Sequence, residues 1–337
     1  MTLREAEIRP DNTMEEGERL HRKDLDRLRV SMPNWKSVPC PACASTETQF
    51  EMSKYEMNFE KCARCATIFL NPRPDKDELE RHYIQSETYA YWNEFVFPPS
   101  EDARRTKVFR PRVDLIVELC QKYDVPTNLL VEVGAGFGTF LEEVKSRGVF
   151  KRLIGIEPTP DLVKTCRKRG LEMIDKTIED VDRAEILQPN EKIDVMASFE
   201  VIEHLLEPKQ FVLKCASLLT KGGLLVLSTP NCKGFDVASL REKSHSIDPE
   251  HVVVFNTDSI ATLLESCGFK VLERRTPGRL DAELVRKGIL NGDCHLGSIP
   301  FFREVLIDRF DELGEPFQDF LSQNNMSGNM LVVAVRQ

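Results

Sequence analysis

The 337-residue sequence has no long uninterrupted apolar run, which argues against a membrane-spanning protein. A helix that crosses a bilayer needs about 20 apolar residues in succession, and no segment approaches that length. The first 30 residues also contain no apolar core that could serve as a secretory signal, and half of them are charged. We therefore expect no membrane partner. Residues 1–36 should form a charged N-terminal arm that is either a solvated helix or partly disordered.

Positive charge and disulfide-forming cysteines are also scarce. The chain carries 46 Lys and Arg against 55 Asp and Glu, a net charge of −9, whereas a protein that coats nucleic acid needs a basic face. Ten cysteines in a chain of this length do not make a dense disulfide framework. The composition therefore disfavours a nucleic-acid partner and points to the reducing cytoplasm.

Four of the ten cysteines form two CxxC pairs. Cys40 and Cys43 make the first pair, Cys62 and Cys65 make the second, and 18 residues separate the pairs. This spacing is typical of zinc ribbons, in which four thiolates complete a tetrahedral shell and leave no position for water. We predict a structural Zn²⁺ in a small module over residues 37–75. The alternatives are four unligated thiols or a redox pair.

Zinc ribbons often bind nucleic acid, but this one has no excess of positive charge. Residues 31–75 contain five basic and five acidic side chains, and a neutral ribbon grips phosphate poorly. We expect the module to pack on a catalytic domain or to wall a substrate site. Residues 76–110 form an aromatic connector. Its Tyr83, Tyr89, Tyr91 and Trp92 either line an acceptor pocket or, as we favour, form the packing seam between module and domain.

From about residue 110 the pattern alternates between helix and strand. An i, i+3, i+4, i+7 apolar stripe predicts a helix over 111–122. Apolar runs without alternation predict strands buried on both faces of a parallel sheet, and hence an α/β fold over residues 111–337. The predicted strands are Leu129–Val133, Leu153–Glu157, Glu172–Ile174, Ile193–Ser198, Leu224–Thr229, Lys270–Glu273 and Asn329–Val335.

The connection between the last two strands is too long to be an ordinary loop. Residues 274–328 form an insertion, in which we predict helices near 281–290 and 300–322. We favour a cap on the substrate side of the site, and the alternative is a contact between two copies of the chain in a homodimer.

A glycine-rich turn follows the first strand of this domain. The segment LLVEVGAGFGTF places Gly134, Gly136 and Gly138 where the backbone must turn sharply and approach a ligand closely. The third glycine comes one residue too early for a dinucleotide fingerprint. Glu132 is placed to interact with a cationic amino-acid group. Its negative charge would be unfavourable beside a pyrophosphate. Glu157 ends the next strand, where an acidic group accepts hydrogen bonds from ribose hydroxyls.

This ordered set, followed by IDVMASFEVIEHL from Ile193 and GGLLVLSTPN from Gly222, resembles the class I S-adenosylmethionine-dependent methyltransferases. The resemblance covers about residues 113–270 and implies a Rossmann-like, mostly parallel sheet of seven strands with the last strand antiparallel. It also implies that Glu132 and the three glycines flank the methionine part of S-adenosylmethionine and that Glu157 holds the ribose. The other implied cofactor residues are Ile178 and Glu179 beside the adenine, and Phe199 and Glu200 at the pocket wall.

The segment SFEVIEH leaves the fourth strand of the domain at the edge of the sheet where ligands bind in such folds. Glu200, Glu203 and His204 are spaced to share one face of a helical turn. His204, oriented by Glu203, is a candidate general base. Alternatively the three hold a divalent cation, because EVIEH resembles the corresponding segment of ubiquinone-pathway O-methyltransferases. A plainer alternative is that Glu200 touches the cofactor and the rest caps a helix.

His251, in the loop after the fifth strand of the domain, is a second candidate proton acceptor, and the alternative is a solvated loop histidine. The two cysteine pairs, NPRP at 71–74 and TPGRLD at 276–281 resemble bacterial methyltransferases that act on nucleotide-linked deoxysugars or surface-glycan sugars. This resemblance implies a small polar acceptor, an activated sugar or glycan precursor, methylated at oxygen or carbon. Two other classes stay open: an rRNA or tRNA methyltransferase that grips RNA with the module, and a catalytically inactive cofactor-binding scaffold.

Overall fold

The computed structural model describes residues 3–337, so the first two residues of the predicted arm lie outside the described part of the chain. The strands are β1 Thr48–Lys54, β2 Met57–Cys62, β3 Ile68–Leu70, β4 Leu129–Val133, β5 Arg152–Ile156, β6 Glu172–Ile174, β7 Ile193–Phe199, β8 Leu219–Pro230, β9 Val253–Val254, β10 Phe269–Arg275 and β11 Asn329–Arg336. The α-helices are α1 Glu5–Ile8, α2 Asp11–Arg29, α3 Lys76–Ile84, α4 Glu87–Tyr91, α5 Phe97–Arg104, α6 Arg110–Lys122, α7 Thr139–Arg147, α8 Pro160–Lys168, α9 Arg183–Ile186, α10 Pro208–Leu218, α11 Phe235–Leu240, α12 Thr257–Ser266, α13 Asp281–Asn291, α14 Pro300–Arg303 and α15 Phe310–Gln323.

Seven strands form the central sheet, in the order β10-β11-β8-β7-β4-β5-β6. All of them run in one direction except β11, which pairs antiparallel with both β8 and β10. Every residue of β4 and β7 is buried, because helices cover both faces of the sheet and both faces must therefore be apolar. The predicted fold class is confirmed, and each predicted strand is present. The largest difference is that β8 begins at Leu219 rather than at Leu224.

A second, smaller sheet joins the four-cysteine module to the catalytic segment. Strands β1, β2 and β3 form an antiparallel meander, and β9 adds a fourth strand from far along the chain. Ile68 pairs with Val254 and Phe69 with Val253, and all four side chains are buried. The module predicted over 37–75 therefore packs on the domain predicted over 111–337 by sharing a sheet with it.

The charged arm is a packed helix rather than a solvated one. Helix α2 buries Leu25 and Leu28 in a core that it shares with the module. Its Asp24 is fully buried, and the carboxylate accepts hydrogen bonds from the Thr88 and Glu87 amides at 2.8 and 3.2 Å. The charged residues of the arm lie mostly on the exposed face of α2. Its buried residues recur at helical spacing and form a stripe along the opposite face.

The connector is helical throughout most of its length. Helix α5 continues through a π-helical turn at Arg105–Phe109 into α6, so the helix predicted over 111–122 is the second half of a longer run. The first half of this run extends beyond the carboxyl edge of the central sheet and overhangs the cleft described below.

The insertion is α-helical, as predicted. Helix α13 and the stretch 300–323 match the two predicted helices, and they pack with α11 around Leu240, Val285 and Leu306. Within the described chain, the insertion reaches the cleft at its two ends, through residues 277–281 and Leu284 near its start and through Gly328 at its end. Among residues 3–337, no helix has the length and apolar character needed to cross a membrane.

Candidate functional site

A large cleft of about 2610 Å³ lies at the carboxyl edge of the parallel strands. Ligands bind at this edge in open α/β sheets, because the loops that follow neighbouring strands diverge there. The glycine-rich turn and the ends of β5, β7 and β8 form its floor. The N-terminal arm, the connector and the start of the insertion form its walls, so that every region of the chain contributes.

The glycine-rich turn needs glycine at two positions. Gly134 and Gly138 have φ angles of 77° and 75°, and a Cβ at either would lie within 2.5 Å of a neighbouring side chain. Gly136 also has a positive φ, of 54°, and its amide donates to Glu157. Gly134 and Gly136 line the cleft, whereas Gly138 lies behind them where α7 begins.

Glu132, in β4, presents an unsatisfied carboxylate to the cleft. Its side chain is 3% exposed, and its Oε2 atom has no hydrogen-bond partner among the described residues. Burial raises the pKa of Glu132 well above its ordinary value, and the attraction of Arg112 only partly opposes this. A buried acceptor without a partner is destabilising, so this atom calls for a cationic or donor group in the cleft.

Glu157, directly after β5, is held at the cleft wall by two backbone amides. Its Oε2 accepts from Gly136 and its Oε1 from Thr159, each at 3.0 Å. An ionised carboxylate has about four lone-pair positions, so both oxygens retain acceptor capacity. The fixed pair of oxygens suits two neighbouring hydroxyl groups, as the prediction for a ribose requires.

The other predicted cofactor residues take different places. Phe199, at the end of β7, and Glu179 line the cleft. Ile178 is 3% exposed, and its side chain belongs to the hydrophobic core beneath the cleft. Of the two residues predicted beside the adenine, Glu179 lies at the cleft wall, whereas Ile178 lies behind the wall in the core.

The sequence reasoning missed Arg112, although it opens the predicted helix. Its guanidinium carbon lies 4.5 Å from the centre of the Phe199 ring, and its Nη2 donates to Glu200 and to Ser228, each at 3.3 Å. Burial lowers the pKa of Arg112, against the attraction of Glu200 and Glu132. Arg112 thus offers a guanidinium group that can bind the carboxylate of a ligand. It stands beside Glu132, whose own carboxylate lacks a cationic partner in the described part of the chain. Such a pair suits an amino-acid zwitterion.

The common face predicted for Glu200, Glu203 and His204 is wrong. Glu200 has a φ of 57°, and its carboxylate turns toward Arg112 and the Asn329 amide, which donates to both oxygens at 3.0 Å. Residues 202–204 then form a single 3₁₀ turn instead of an α-helical one. The three side chains therefore do not converge as a cation site of that composition would require.

Glu203 does not orient His204. Its carboxylate is 1% exposed and accepts a hydrogen bond from the Thr229 hydroxyl at 2.9 Å. Burial and the nearby Glu200 carboxylate raise the pKa of Glu203 well above its ordinary value. Glu203 is therefore a buried acid beside His204, with no hydrogen bond to it.

His204 is oriented from outside the predicted segment. Its Nδ1 lies 3.0 Å from the backbone oxygen of Glu250 and 3.1 Å from the Tyr83 hydroxyl. A carbonyl oxygen only accepts, so Nδ1 carries the proton and Nε2 carries the lone pair. Burial, with a smaller contribution from His251, lowers the pKa of His204 to about 3. The imidazole is therefore neutral and can accept a proton at Nε2.

His251 stands beside His204 and is not a solvated loop residue. The ring centres are 4.8 Å apart, and His251 Nδ1 lies 3.0 Å from the Ser246 carbonyl, which fixes the same tautomer. A carboxylate oxygen of Glu203 and one ring nitrogen from each of His204 and His251 lie within 4.8 Å of one another. Polar groups that converge in this way suit a hydroxyl group that must lose a proton, or a cation, and His251 takes the place predicted for Glu200.

Tyr83 takes both of the roles left open for the connector aromatics, because it lines the cleft and packs against the core shared by the module and the catalytic segment. Tyr83, Tyr89 and Trp92 line the cleft, and the first two pack edge to face with ring centres 5.6 Å apart. Tyr91 packs on Phe95 instead, at 5.0 Å. Burial raises the pKa of Tyr83 well above its ordinary value, so its hydroxyl stays neutral beside His204.

The loop that carries Glu250 and His251 is tied to the N-terminal helix by a buried ionic network. His21 of α2 places Nε2 2.8 Å from Asp248 and Nδ1 4.0 Å from Glu250. Against the effect of burial, these carboxylates raise the pKa of His21 to about 9. His82 of α3 lies 2.8 Å from the same Glu250 carboxylate. We call this network the histidine latch.

The β1–β2 turn supports the same loop. The Lys54 ammonium donates to the backbone oxygens of Ser244 and Ile247 at 2.9 and 2.7 Å. The four-cysteine module is therefore connected to the residues that orient His204 and His251, although it does not touch those two imidazoles.

The four thiols of the module converge on one point. Two Sγ pairs are 3.5 and 3.6 Å apart, and all four atoms lie within 4.8 Å of one another. A tetrahedral site with Zn–S bonds of about 2.3 Å needs sulfur separations of roughly 3.8 Å, so the donor set fits zinc. Ala44 and Ala66, one after each pair, both have a φ of 58°, which gives the two turns the same backbone. The thiols belong to Cys40, Cys43, Cys62 and Cys65.

Comparisons with known proteins identify the family to which the chain belongs. Residues 103–274, just over half of the chain, match the model of a methyltransferase domain family. A probable S-adenosylmethionine-dependent methyltransferase of Mycolicibacterium smegmatis is 32% identical over 142 residues, which are 42% of this chain and 52% of that protein. A ubiquinone biosynthesis O-methyltransferase of Xanthomonas campestris pv. campestris is 26% identical over 166 residues, 48% of this chain and 67% of that protein.

A solved S-adenosylmethionine-dependent methyltransferase from Clostridium acetobutylicum superposes with a TM-score of 0.45 and 11% identity, over 73% of this chain and 98% of that one.

The chain spans about half the length of the first curated relatives that it matches. The matched family segment contains the glycine-rich turn, Glu157, His204 and His251, but neither the four cysteines nor Tyr83.

Proposed function

Since the chain belongs to the methyltransferase domain family, we propose that it transfers the methyl group of S-adenosylmethionine to a hydroxyl oxygen of a small polar acceptor, an activated sugar or a related glycan precursor. The cofactor supplies an electrophilic methyl group on a sulfonium. Displacement at that carbon depends mainly on alignment of the acceptor and, at a hydroxyl, on removal of a proton. The residues of this chain therefore bind, orient and accept a proton.

The observation that carries the cofactor part of the proposal is the buried, unpartnered Oε2 atom of Glu132. The ammonium group of the methionine part satisfies it, and Arg112 is placed to bind the carboxylate of the same zwitterion. Glu157 offers two fixed acceptors to the ribose hydroxyls. Three such groups around a glycine-rich turn suit a nucleoside with an amino-acid tail and no phosphate.

For the acceptor, His204 is the proposed general base and His251 its proposed partner in holding the hydroxyl. A base with a low pKa suffices here, because attack on the methyl group makes the hydroxyl proton strongly acidic as the new bond forms. The Glu250 carbonyl fixes the reactive tautomer of His204, and the Tyr83 hydroxyl limits rotation of the ring. The relative from Xanthomonas is named an O-methyltransferase, which supports oxygen as the methylated atom.

We also infer that the four-cysteine site holds a structural Zn²⁺. With four thiolates as ligands the ion has no open position, so its role is to hold the two CxxC turns together. That in turn fixes the β1–β2 turn, from which Lys54 supports the acceptor loop.

The first experiment is calorimetric titration of the full chain with S-adenosylmethionine and with S-adenosylhomocysteine, on a sample whose zinc content is known. We expect binding in the micromolar range and about one zinc per chain. Nucleotide sugars and glycan precursors are then assayed for methylation by mass spectrometry. Absence of binding by zinc-loaded protein would overturn the proposal and favour the scaffold alternative. Methylation of RNA in preference to all small acceptors would favour the RNA alternative.

A further inference from the structure

Two arginines in the cleft wall have no role in the proposed cofactor site or in proton removal. Arg104 of α5 lines the cleft, as does Arg9, which follows α1. The cluster consists of these two residues with Arg112, which stands further along the same helical run. In a chain with a net charge of −9, three guanidinium groups in one cleft wall need an explanation.

Arg104 is the member of the cluster with the least compensation. Its Nη2 donates to the Ile8 carbonyl at 2.7 Å and its Nε to the Ser100 hydroxyl at 2.9 Å. Within residues 3–337 no carboxylate forms an ion pair with it, whereas Arg9 pairs with Glu5 and Arg112 with Glu200. The guanidinium also lies 4.7 Å from the centre of the Phe97 ring, which holds it in place.

The protein groups around Arg104 disfavour the charge on its guanidinium. Burial lowers the pKa of Arg104 to about 10, and the like charges of Arg9 and Arg112 add to the effect. A guanidinium whose only near charges are other cations gains most from an anion, and its planar donor fork suits phosphoryl oxygens. The planar fork of Arg104 is therefore suited to an anion bound in the cleft.

Arg104 and Arg112 stand at different points of one helical run. Arg112 stands over Phe199 beside Glu132, at the methionine end of the proposed cofactor site. Arg104 lies eight residues earlier on this run, roughly 12 Å away along the helix axis. Both residues line the cleft.

We propose that Arg104 and Arg9 bind a phosphoryl group of the acceptor, so that the acceptor is a phosphorylated or nucleoside-diphosphate-linked sugar. This inference rests on the proposed function for the choice of acceptor, but the anion site itself does not. Glu203, His204 and His251, which line the same cleft, then face the hydroxyl that is methylated.

The test is calorimetric titration of the full chain with inorganic pyrophosphate and with uridine diphosphate, with and without S-adenosylhomocysteine. The variant Arg104→Gln keeps a donor for the Ile8 carbonyl and removes the charge, Arg104→Lys keeps the charge without the fork, and Arg147→Gln removes a charge that lies outside the cleft lining. We expect Arg104→Gln to weaken pyrophosphate binding by about tenfold to a hundredfold, Arg104→Lys by less, and Arg147→Gln not at all.

The affinity of Arg104→Gln for S-adenosylhomocysteine should stay within about threefold of the wild-type affinity, because Arg104 is not assigned to the cofactor. A change of about threefold corresponds to less than about 1 kcal/mol. A parallel loss of cofactor affinity would overturn the proposal, because the arginine would then bind the cofactor carboxylate. Equal pyrophosphate binding by all the variants, or none by the wild type, would overturn it as well. If the wild type binds pyrophosphate but no cofactor, the proposed function fails while the anion site stands.

Discussion

Single atoms decide the chemistry of this cleft. The two histidines each direct Nδ1 at a backbone carbonyl, which leaves each Nε2 as an acceptor. Glu132 likewise has one oxygen that nothing in the described chain satisfies. The cleft thus presents hydrogen-bond acceptors at two places. Glu132 suits a cation on the proposed cofactor side, and the two histidines suit a hydroxyl proton on the proposed acceptor side.

Glu132→Gln should weaken S-adenosylmethionine binding by about tenfold or more, because it removes the charge that faces the ammonium group. Burial raises the pKa of Glu132, and a bound ammonium group would lower it again, so cofactor binding should release a proton from the wild type. Calorimetry in buffers of different ionisation enthalpy measures that release. The exposed Glu172→Gln serves as the control. A variant that binds like the wild type and releases the same proton would refute the role.

His204→Asn should lower kcat by about two to four orders of magnitude and leave cofactor affinity unchanged. The asparagine amide can still donate to the Glu250 carbonyl, but it presents no lone pair in place of Nε2. Steady-state rates and calorimetry measure the two effects, and His251→Asn is the matched comparison. Wild-type activity that requires added Mg²⁺ or Mn²⁺ and stops with a chelator would contradict direct proton transfer to His204.

At the scale of elements, the loop between β8 and β9 depends on parts of the chain that are remote in sequence. Helix α2 holds it through His21, and the β1–β2 turn holds it through Lys54. The bases are therefore placed by the arm and the module, while the cofactor residues are placed by β4, β5 and the turn between β4 and α7.

The histidine latch should be sensitive to pH. The folded-state pKa of His21 is raised to about 9 from an ordinary value of 6.5 by Asp248 and Glu250, with burial and Lys54 opposing, and the Tyr55 ring 5.7 Å away. Because its pKa is raised on folding, the protonated His21 imidazole stabilises the folded state. This stabilisation is fully present below pH 6.5 and is lost as the pH rises to about 9.

His21→Gln should therefore unfold more easily than the wild type at pH 6, by on the order of 1 to 3 kcal/mol, and the difference should shrink toward pH 9.5. Denaturant unfolding at the two pH values measures this, with the exposed Arg19→Gln on the same helix as control. A difference that does not change with pH would show that the latch carries no ionic stabilisation.

The sequence predicted best those features that local pattern encodes. Buried runs such as Ile193–Ser198 predicted the parallel strands, and the CxxC pairs predicted the convergence of four thiols. The contact of Tyr83 with His204 could not be predicted, because the two lie far apart in the chain and neither shows a periodic pattern. Glu200 was misplaced for a different reason: the helical spacing rule assumes a helical backbone, and this residue has a positive φ.

At the scale of the whole molecule, the proposed cofactor half of the cleft lies within the family segment, and the proposed acceptor half is completed by residues that precede that segment. His21 and Tyr83 come from the arm and the connector, and Arg104 lies at the segment's beginning. In the proposed function, acceptor choice is thus a property of the assembled chain, whereas cofactor binding belongs to the sheet.

Removal of zinc should therefore impair turnover more than cofactor binding. Replacing Cys62 by Ser, or stripping the metal with a chelator, should lower the melting temperature and reduce kcat, since the module then no longer holds Lys54 and the acceptor loop. S-Adenosylhomocysteine affinity should stay within a few-fold of the wild-type value. Cys294→Ser, in the insertion, is the control for loss of a buried thiol. Zinc-free protein with full activity would contradict the coupling.

The strand pair β3–β9 also sets an order of events during synthesis. The three-stranded meander and its cysteines leave the ribosome early, but the strand that completes their sheet is some 180 residues further along. At about 5 to 20 residues per second, the meander waits roughly ten to forty seconds with the Ile68–Leu70 edge unpaired. An ion captured by the thiols in that interval would fix the two CxxC turns early, while the β3 edge stays open to association with other chains until β9 is made.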